Sequence, residues 1–139
     1  MPKCRVFAID DSLKEIVPGG LYGKHLFGET ISVAVVKFLA EKGGNLPAKP
    51  HSHGEEASLQ LVGGCSVLEG TQTVPGNPES VMRAGAALII PAGCMHYGTN
   101  TFEAEGVSMR LNVVTPARKE YGPEDSVPYY PLKSRGAAA

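Results

Sequence analysis

Gly85-Ala86-Ala87-Leu88-Ile89-Ile90-Pro91-Ala92-Gly93-Cys94-Met95-His96-Tyr97-Gly98-Thr99-Asn100 is the stretch on which the fold turns. Gly85 permits a sharp opening turn, and Leu88 to Ile90 form a short apolar strand. Pro91-Ala92-Gly93 then reverses the chain, since proline presets its own φ and glycine accepts backbone angles closed to other residues. His96 follows directly, so the loop delivers an imidazole to the mouth of whatever the strand helps to build.

Upstream lies a second concentration of ligating groups, Pro50-His51-Ser52-His53-Gly54-Glu55-Glu56. Side chains alternate along a strand, so His51 and His53 at a strand end share one face. Neutral imidazole is the commonest nitrogen donor to a transition metal, and carboxylate oxygen often joins it. Two such ligands on one rigid segment make half of a metal site, and His96 offers a third.

Together the two stretches resemble the paired signatures of the cupin superfamily. The second signature fixes a glycine, then after five residues a proline, then glycine, histidine and asparagine; here these are Gly85, Pro91, Gly93, His96 and Asn100. The first signature places a His-x-His pair ahead of a carboxylate and a turn glycine, and His51 and His53 supply the pair. This chain departs from it in spacing: Glu56 follows His53 after two residues, and Gly44 precedes His51 by one position too many. Counting back from Gly63 makes Glu56 a fourth ligand, whereas counting back from Gly64 puts Ala57 there and leaves three histidines. Leu59 and Leu61 share the parity of Ala57, which favours the three-histidine register with Glu55 and Glu56 in the bend nearby.

The resemblance implies an all-β fold, a single-domain cupin with a double-stranded β-helix or jelly-roll barrel. The barrel would span about 31–115, with N-terminal strands or an arm over 1–30 and a C-terminal arm over 116–139. His51, His53 and His96 are the implied metal ligands, with Glu56 as the open fourth. Fe(II) is the expected metal, with Zn, Ni or Mn as alternatives. Small cupins pair through a sheet face, so a homodimer is expected.

Composition agrees with a compact β-domain. The 139 residues carry 42% hydrophobic and 19% charged residues, an ordinary globular balance. Seventeen glycines and eleven prolines suit a chain cut into short strands by tight turns. A net charge of −1 gives no reason to expect nucleic acid or an anionic membrane as partner. Three cysteines without finger spacing read as reduced thiols in a cytoplasmic protein, and the charged first twenty residues do not form a signal-peptide core.

Along the chain, Cys4 to Ile9 reads as a first strand, followed by a turn or loop to Ile16. Lys24 to Phe27 and Ile31 to Leu39 are strands, the latter rich in β-branched residues. Ala57 to Val62 and Cys65 to Leu68 form a hairpin through Gly63-Gly64, and Thr71 to Val74 continues as a strand. Val81 to Arg83 pairs briefly, and Phe102 to Ala104 with Val107 to Val114 closes the barrel as a last hairpin.

Other polar residues admit plainer roles. His25 reads as a surface or hydrogen-bonded histidine, Cys94 as packing, and Asn100 as a brace for its own turn. Tyr97 is a candidate proton donor, as are Glu56 and Glu55 for moving a proton. Ser108, Arg110 and Asn112 alternate with Val107, Met109, Leu111 and Val113, so the apolar set is expected inside and the polar set outside. The other arrangement turns Arg110 inward toward a substrate carboxylate.

Three functions fit. A metal-dependent dioxygenase acting on a small oxygenated molecule leads, because three imidazoles leave open positions on Fe(II). A non-redox lyase, isomerase or cyclase would use the metal as a Lewis acid. A non-catalytic ligand-binding or sensing module is the third.

Overall fold

In the computed structural model, residues 3–43, 46 and 48–119 are described. Among them run nine strands: β1 Lys14–Val17, β2 Leu21–Phe27, β3 Ser32–Leu39, β4 Glu55–Val62, β5 Gly64–Glu69, β6 Glu79–Arg83, β7 Ala87–Ile90, β8 His96–Thr101 and β9 Val107–Thr115. A four-residue helix, α1 Ala40–Gly43, follows β3.

The strands form two antiparallel sheets, a six-stranded one ordered β1-β2-β3-β9-β4-β7 and a three-stranded one ordered β6-β5-β8. In the large sheet β9 is central, pairing with β3 from Ser32↔Val114 to Leu39↔Val107 and with β4 from Glu55↔Thr115 to Val62↔Met109. In the small sheet β5 runs beside β8 from Gly64↔Thr101 to Glu69↔His96. Consecutive strands therefore often lie in different sheets, which is the crossover logic of a jelly roll.

Several local expectations change. Residues 3–13 form no strand, and the first strand starts at Lys14, where the sequence suggests a loop. Thr71 to Val74 is bend and coil. Neither expected hairpin forms: β4 and β5 belong to different sheets, and Phe102 to Ala104 is coil and turn leading into β9 rather than a strand. Gly63 is instead a corner between layers, at φ +65, where an added Cβ would stand 2.5 Å from the Val107 carbonyl oxygen. The implied C-terminal arm beyond residue 119, and Gly44 of the first signature, lie outside the described residues.

The largest correction concerns which face looks inward. On β4 the buried residues are Glu56, Ser58 and Gln60, while Ala57 and Leu59 are exposed. Ser108 and Val114 on β9 are likewise buried, with Arg110 and Asn112 sharing their parity. The polar parity thus lines the space between the sheets, contrary to the expectation from alternation. Mutual hydrogen bonds offset much of the cost of burying these polar groups, although Gln60 Oε1 has no partner among the described residues. Gln60 Nε2 donates to the Val62 carbonyl at 2.7 Å and to Ser108 Oγ at 3.1 Å; Ser108 Oγ donates to the Gly64 carbonyl at 2.8 Å. Arg110 NH1 donates to Asn100 Oδ1 at 2.8 Å, so Asn100 braces β9 rather than its own turn. The apolar core gathers toward the other end of the barrel, where Leu21, Val36 and Phe38 pack with Ile16, Val17, Leu46 and Phe102.

Candidate metal centre

The two signature segments meet through their backbones. His51 and His96 form an isolated antiparallel bridge, each N–H donating to the other's carbonyl at 2.9 Å. The Gly93 N–H donates to the His53 carbonyl at 2.9 Å, so the reversing loop clamps the His-x-His segment. Gly54 completes the docking: a Cβ there would lie 2.0 Å from the Thr115 carbonyl oxygen. No side chain fits between the histidine segment and the end of β9.

This docking gathers three rings. The centroids of His51 and His96 are 4.4 Å apart, those of His53 and His96 4.9 Å, and those of His51 and His53 5.4 Å. One nitrogen from each ring lies within 4.8 Å of the others. His96 is buried, His53 half-buried, and His51 sits exposed at the mouth.

The hydrogen bonds prepare these rings as ligands. Nδ1 of His51 faces the Lys49 carbonyl at 2.8 Å, that of His53 the Gly54 carbonyl at 2.7 Å, and that of His96 the Cys94 carbonyl at 2.9 Å. A carbonyl only accepts, so each Nδ1 carries the proton and each Nε2 keeps its lone pair. His53 Nε2 is buried with no hydrogen-bond partner among the described residues. Burial pushes all three imidazoles below their ordinary pKa, against the raising effect of the carbonyl bonds. Neutral, pre-oriented donors with an orphaned nitrogen fit a divalent transition metal.

Glu56 stands beside this cluster. Its Oε1 is 3.3 Å from His53 Nε2, and its Oε2 accepts from Ser58 Oγ at 2.6 Å. The left-handed residue at the corner is Gly63, while Gly64 already belongs to β5, so the count from Gly63 describes the local geometry. Ala57, the alternative, points outward. Glu55 is exposed at the start of β4.

Tyr97 is not brought to the site. It neighbours His96 on β8 and so faces the opposite way, where its hydroxyl accepts from Asn77 Nδ2 at 2.8 Å. Cys94 donates its thiol to Glu69 Oε1 at 3.5 Å, and burial followed by that carboxylate raises its pKa, the reverse of an activated nucleophile. His25 is buried on β2 with its ring 4.7 Å from that of Phe27. Arg118 was not singled out by the sequence: its charge helps lower all three imidazoles, and its backbone N–H donates to Ser32 Oγ at 3.1 Å. Nothing local in the sequence marks it, because it reaches the site only through the course of the chain after β9.

Solved structures with the same architecture include KdgF from Halomonas sp. (22% identity, TM-score 0.60, 82% of this chain and 97% of that one). An RmlC-like cupin from Shewanella frigidimarina aligns over 87% of this chain and 99% of its own, at 17% identity and TM-score 0.58. The fold is that of the cupins. A third cupin-fold neighbour, HppE in its Fe(II) form, aligns over 82% of this chain and 62% of its own, at 17% identity and TM-score 0.58. No protein-family model matches the sequence, and no curated protein matches it. Within this cupin fold the three histidines form a cluster suited to a metal ion.

Proposed function

We propose that this cupin-fold chain is a non-haem, metal-dependent dioxygenase acting on a small oxygenated organic substrate. The observation that carries the proposal is the convergence of three imidazoles, each held as an Nδ1–H tautomer by a backbone carbonyl, beside a polar barrel interior. His51, His53 and His96 would hold the metal through Nε2, and Glu56 is positioned to join them. Fe(II) is the metal proposed, since HppE supplies an iron-bearing example of the fold. When bound, such a metal supplies open positions and redox chemistry toward O2.

The chain's own residues then orient and shield. The bridge between His51 and His96 fixes two rings relative to each other. Ser58 holds the Glu56 carboxylate in one place, where it could accept a proton from a substrate at the cluster. That placement also favours a second reading, a non-redox lyase, isomerase or cyclase with Glu56 as the base. A binding module without turnover is the third. Oxygen uptake that tracks iron content across a panel of diketones, hydroxy acids and phenols supports the first. Anaerobic turnover with Zn or Ni, abolished in Glu56→Gln, would replace it with the second, and metal binding without turnover leaves the third.

We also propose that the chain forms a homodimer through the outer face of the large sheet. The outward parity there is apolar and contiguous in register: Ala57↔Val113, Leu59↔Leu111 and Ala57↔Ile89. Ile89 is 61% and Leu59 38% exposed, and no charged side chain lies among these five positions. An exposed apolar face of this kind suits pairing with a second copy of itself.

A further inference from the structure

Arg110 lies in the middle of β9 on the inward parity, opposite Gln60 in the β4 register. A guanidinium turned into a barrel calls for an anion, yet among the described residues no carboxylate lies within 4.0 Å of it. One hydrogen bond, NH1 to Asn100 Oδ1, and the ring of Phe38 4.9 Å from its carbon fix its orientation. The remaining N–H groups of this rigid fork are donors only.

The surroundings leave the fork reachable. On β8 the inward positions are His96, Gly98 and Asn100, alternating with Tyr97 and Thr99. The middle position has no side chain, and Gly98 is exposed. A Cβ placed there would lie 3.7 Å from Arg110 NH2 and 3.4 Å from Cys65 Sγ, both ordinary contacts. Gly98 therefore leaves one inward position along from His96 without a side chain, a methyl-sized gap bounded by the guanidinium and the Cys65 thiol. Two residues of strand separate that gap from the histidine cluster by about 7 Å.

We propose that Arg110 is a specificity-determining residue that binds a substrate carboxylate, held in the gap at Gly98 while the substrate's other oxygens face the histidine cluster. This rests on the metal-site reading for the far end of the substrate, but not for the anion contact itself. The substrate class is a small hydroxy- or oxo-acid, whose outermost oxygens rather than its carbons reach the two contacts roughly 7 Å apart along β8. Arginine suits the task because its planar fork matches a carboxylate with two parallel bonds, which a lysine point charge cannot reproduce.

Calorimetric titration with malate and its neutral diamide, malamide, tests the assignment on metal-free and Ni(II)-loaded full-length protein. Malate should bind wild type in both forms and more tightly than malamide. Arg110→Met keeps the side-chain length over Phe38 and should weaken malate binding at least tenfold in both forms. Arg110→Lys should recover only part of that loss. Gly98→Ala adds a single methyl at ordinary contact distance from the guanidinium, fills the gap without displacing it, and should weaken malate without changing metal content. His51→Ala should retain the Arg110-dependent binding of the metal-free protein, which separates failure of the metal site from failure of the anion site. Equal malate affinity in wild type and folded Arg110→Met would overturn the proposal, as would equal affinity for malate and malamide.

Discussion

At the scale of single residues, the chemistry is set by which ring nitrogen is occupied. Three carbonyls take the Nδ1 protons, and each is supplied by backbone within two residues of its histidine. The sequence spacing thus creates both the ligand and its orienting partner. Cys65 shows how the interior treats a group with no such task. It is 1% exposed, and burial, the largest influence, raises its pKa although the charge of Arg110 opposes this. Since thiolate is the reactive form, Cys65 should resist iodoacetamide at pH 8 while exposed Cys4 is alkylated, as peptide mass mapping would show. A folded-state pKa above the unfolded value stabilises the fold at pH below that unfolded value, near 9.0, and the contribution is lost as pH rises through the folded one. Chemical stability should therefore decline above pH 9 in wild type and decline less in Cys65→Ala; identical pH profiles would count against a buried neutral thiol.

At the scale of elements, close backbone approach explains the glycine in the histidine segment. Gly54→Ala would drive a Cβ into the Thr115 carbonyl and the Pro116 ring, so the segment must shift away from β9. A destabilisation above about 1 kcal/mol is expected, together with reduced metal binding, both measurable by denaturant titration with and without added metal. Wild-type stability in that variant would mean the docking is looser than described. The polar rung between β4 and β9 is a second test. Gln60→Leu preserves bulk but strips the Val62 carbonyl and Ser108 of a donor, and should cost about 1–3 kcal/mol. The signatures were legible in sequence because glycine, proline and histidine at fixed separations constrain turns directly. Parity was not. Alternation on β4 and β9 shows that two faces differ, but Leu59 and Leu111 are as apolar as any core residue. Only the mutual hydrogen bonding of Ser58, Gln60, Ser108 and Asn112 reveals that the polar face is the inner one. The same limit hid the inward turn of Arg110 and moved Glu56 from the bend into the barrel.

At the scale of the whole molecule, two layers divide the work. The small sheet contributes His96, the loop before β4 contributes His51 and His53, and the large sheet supplies Glu56 and Arg110, so the site exists only when the layers close. The apolar side of the large sheet faces away from it. Leu59→Lys or Leu111→Lys should convert a particle of twice the 14.6 kDa chain mass into a monomer by light scattering, with metal content retained. A wild-type monomer would dismiss the dimer without touching the site. Among the described residues no helix is long and apolar enough to cross a membrane. The central claim, that three histidines form a metal centre, is tested most directly by elemental analysis of purified wild type and His51→Ala. His51 is exposed at the mouth, so its removal should spare the fold while taking away one of three ligands. About one equivalent of a divalent transition metal is expected per wild-type chain, falling to near zero in the variant. Equal metal content in the two proteins, or none in wild type after reconstitution with Fe(II), Zn, Ni or Mn, would contradict it.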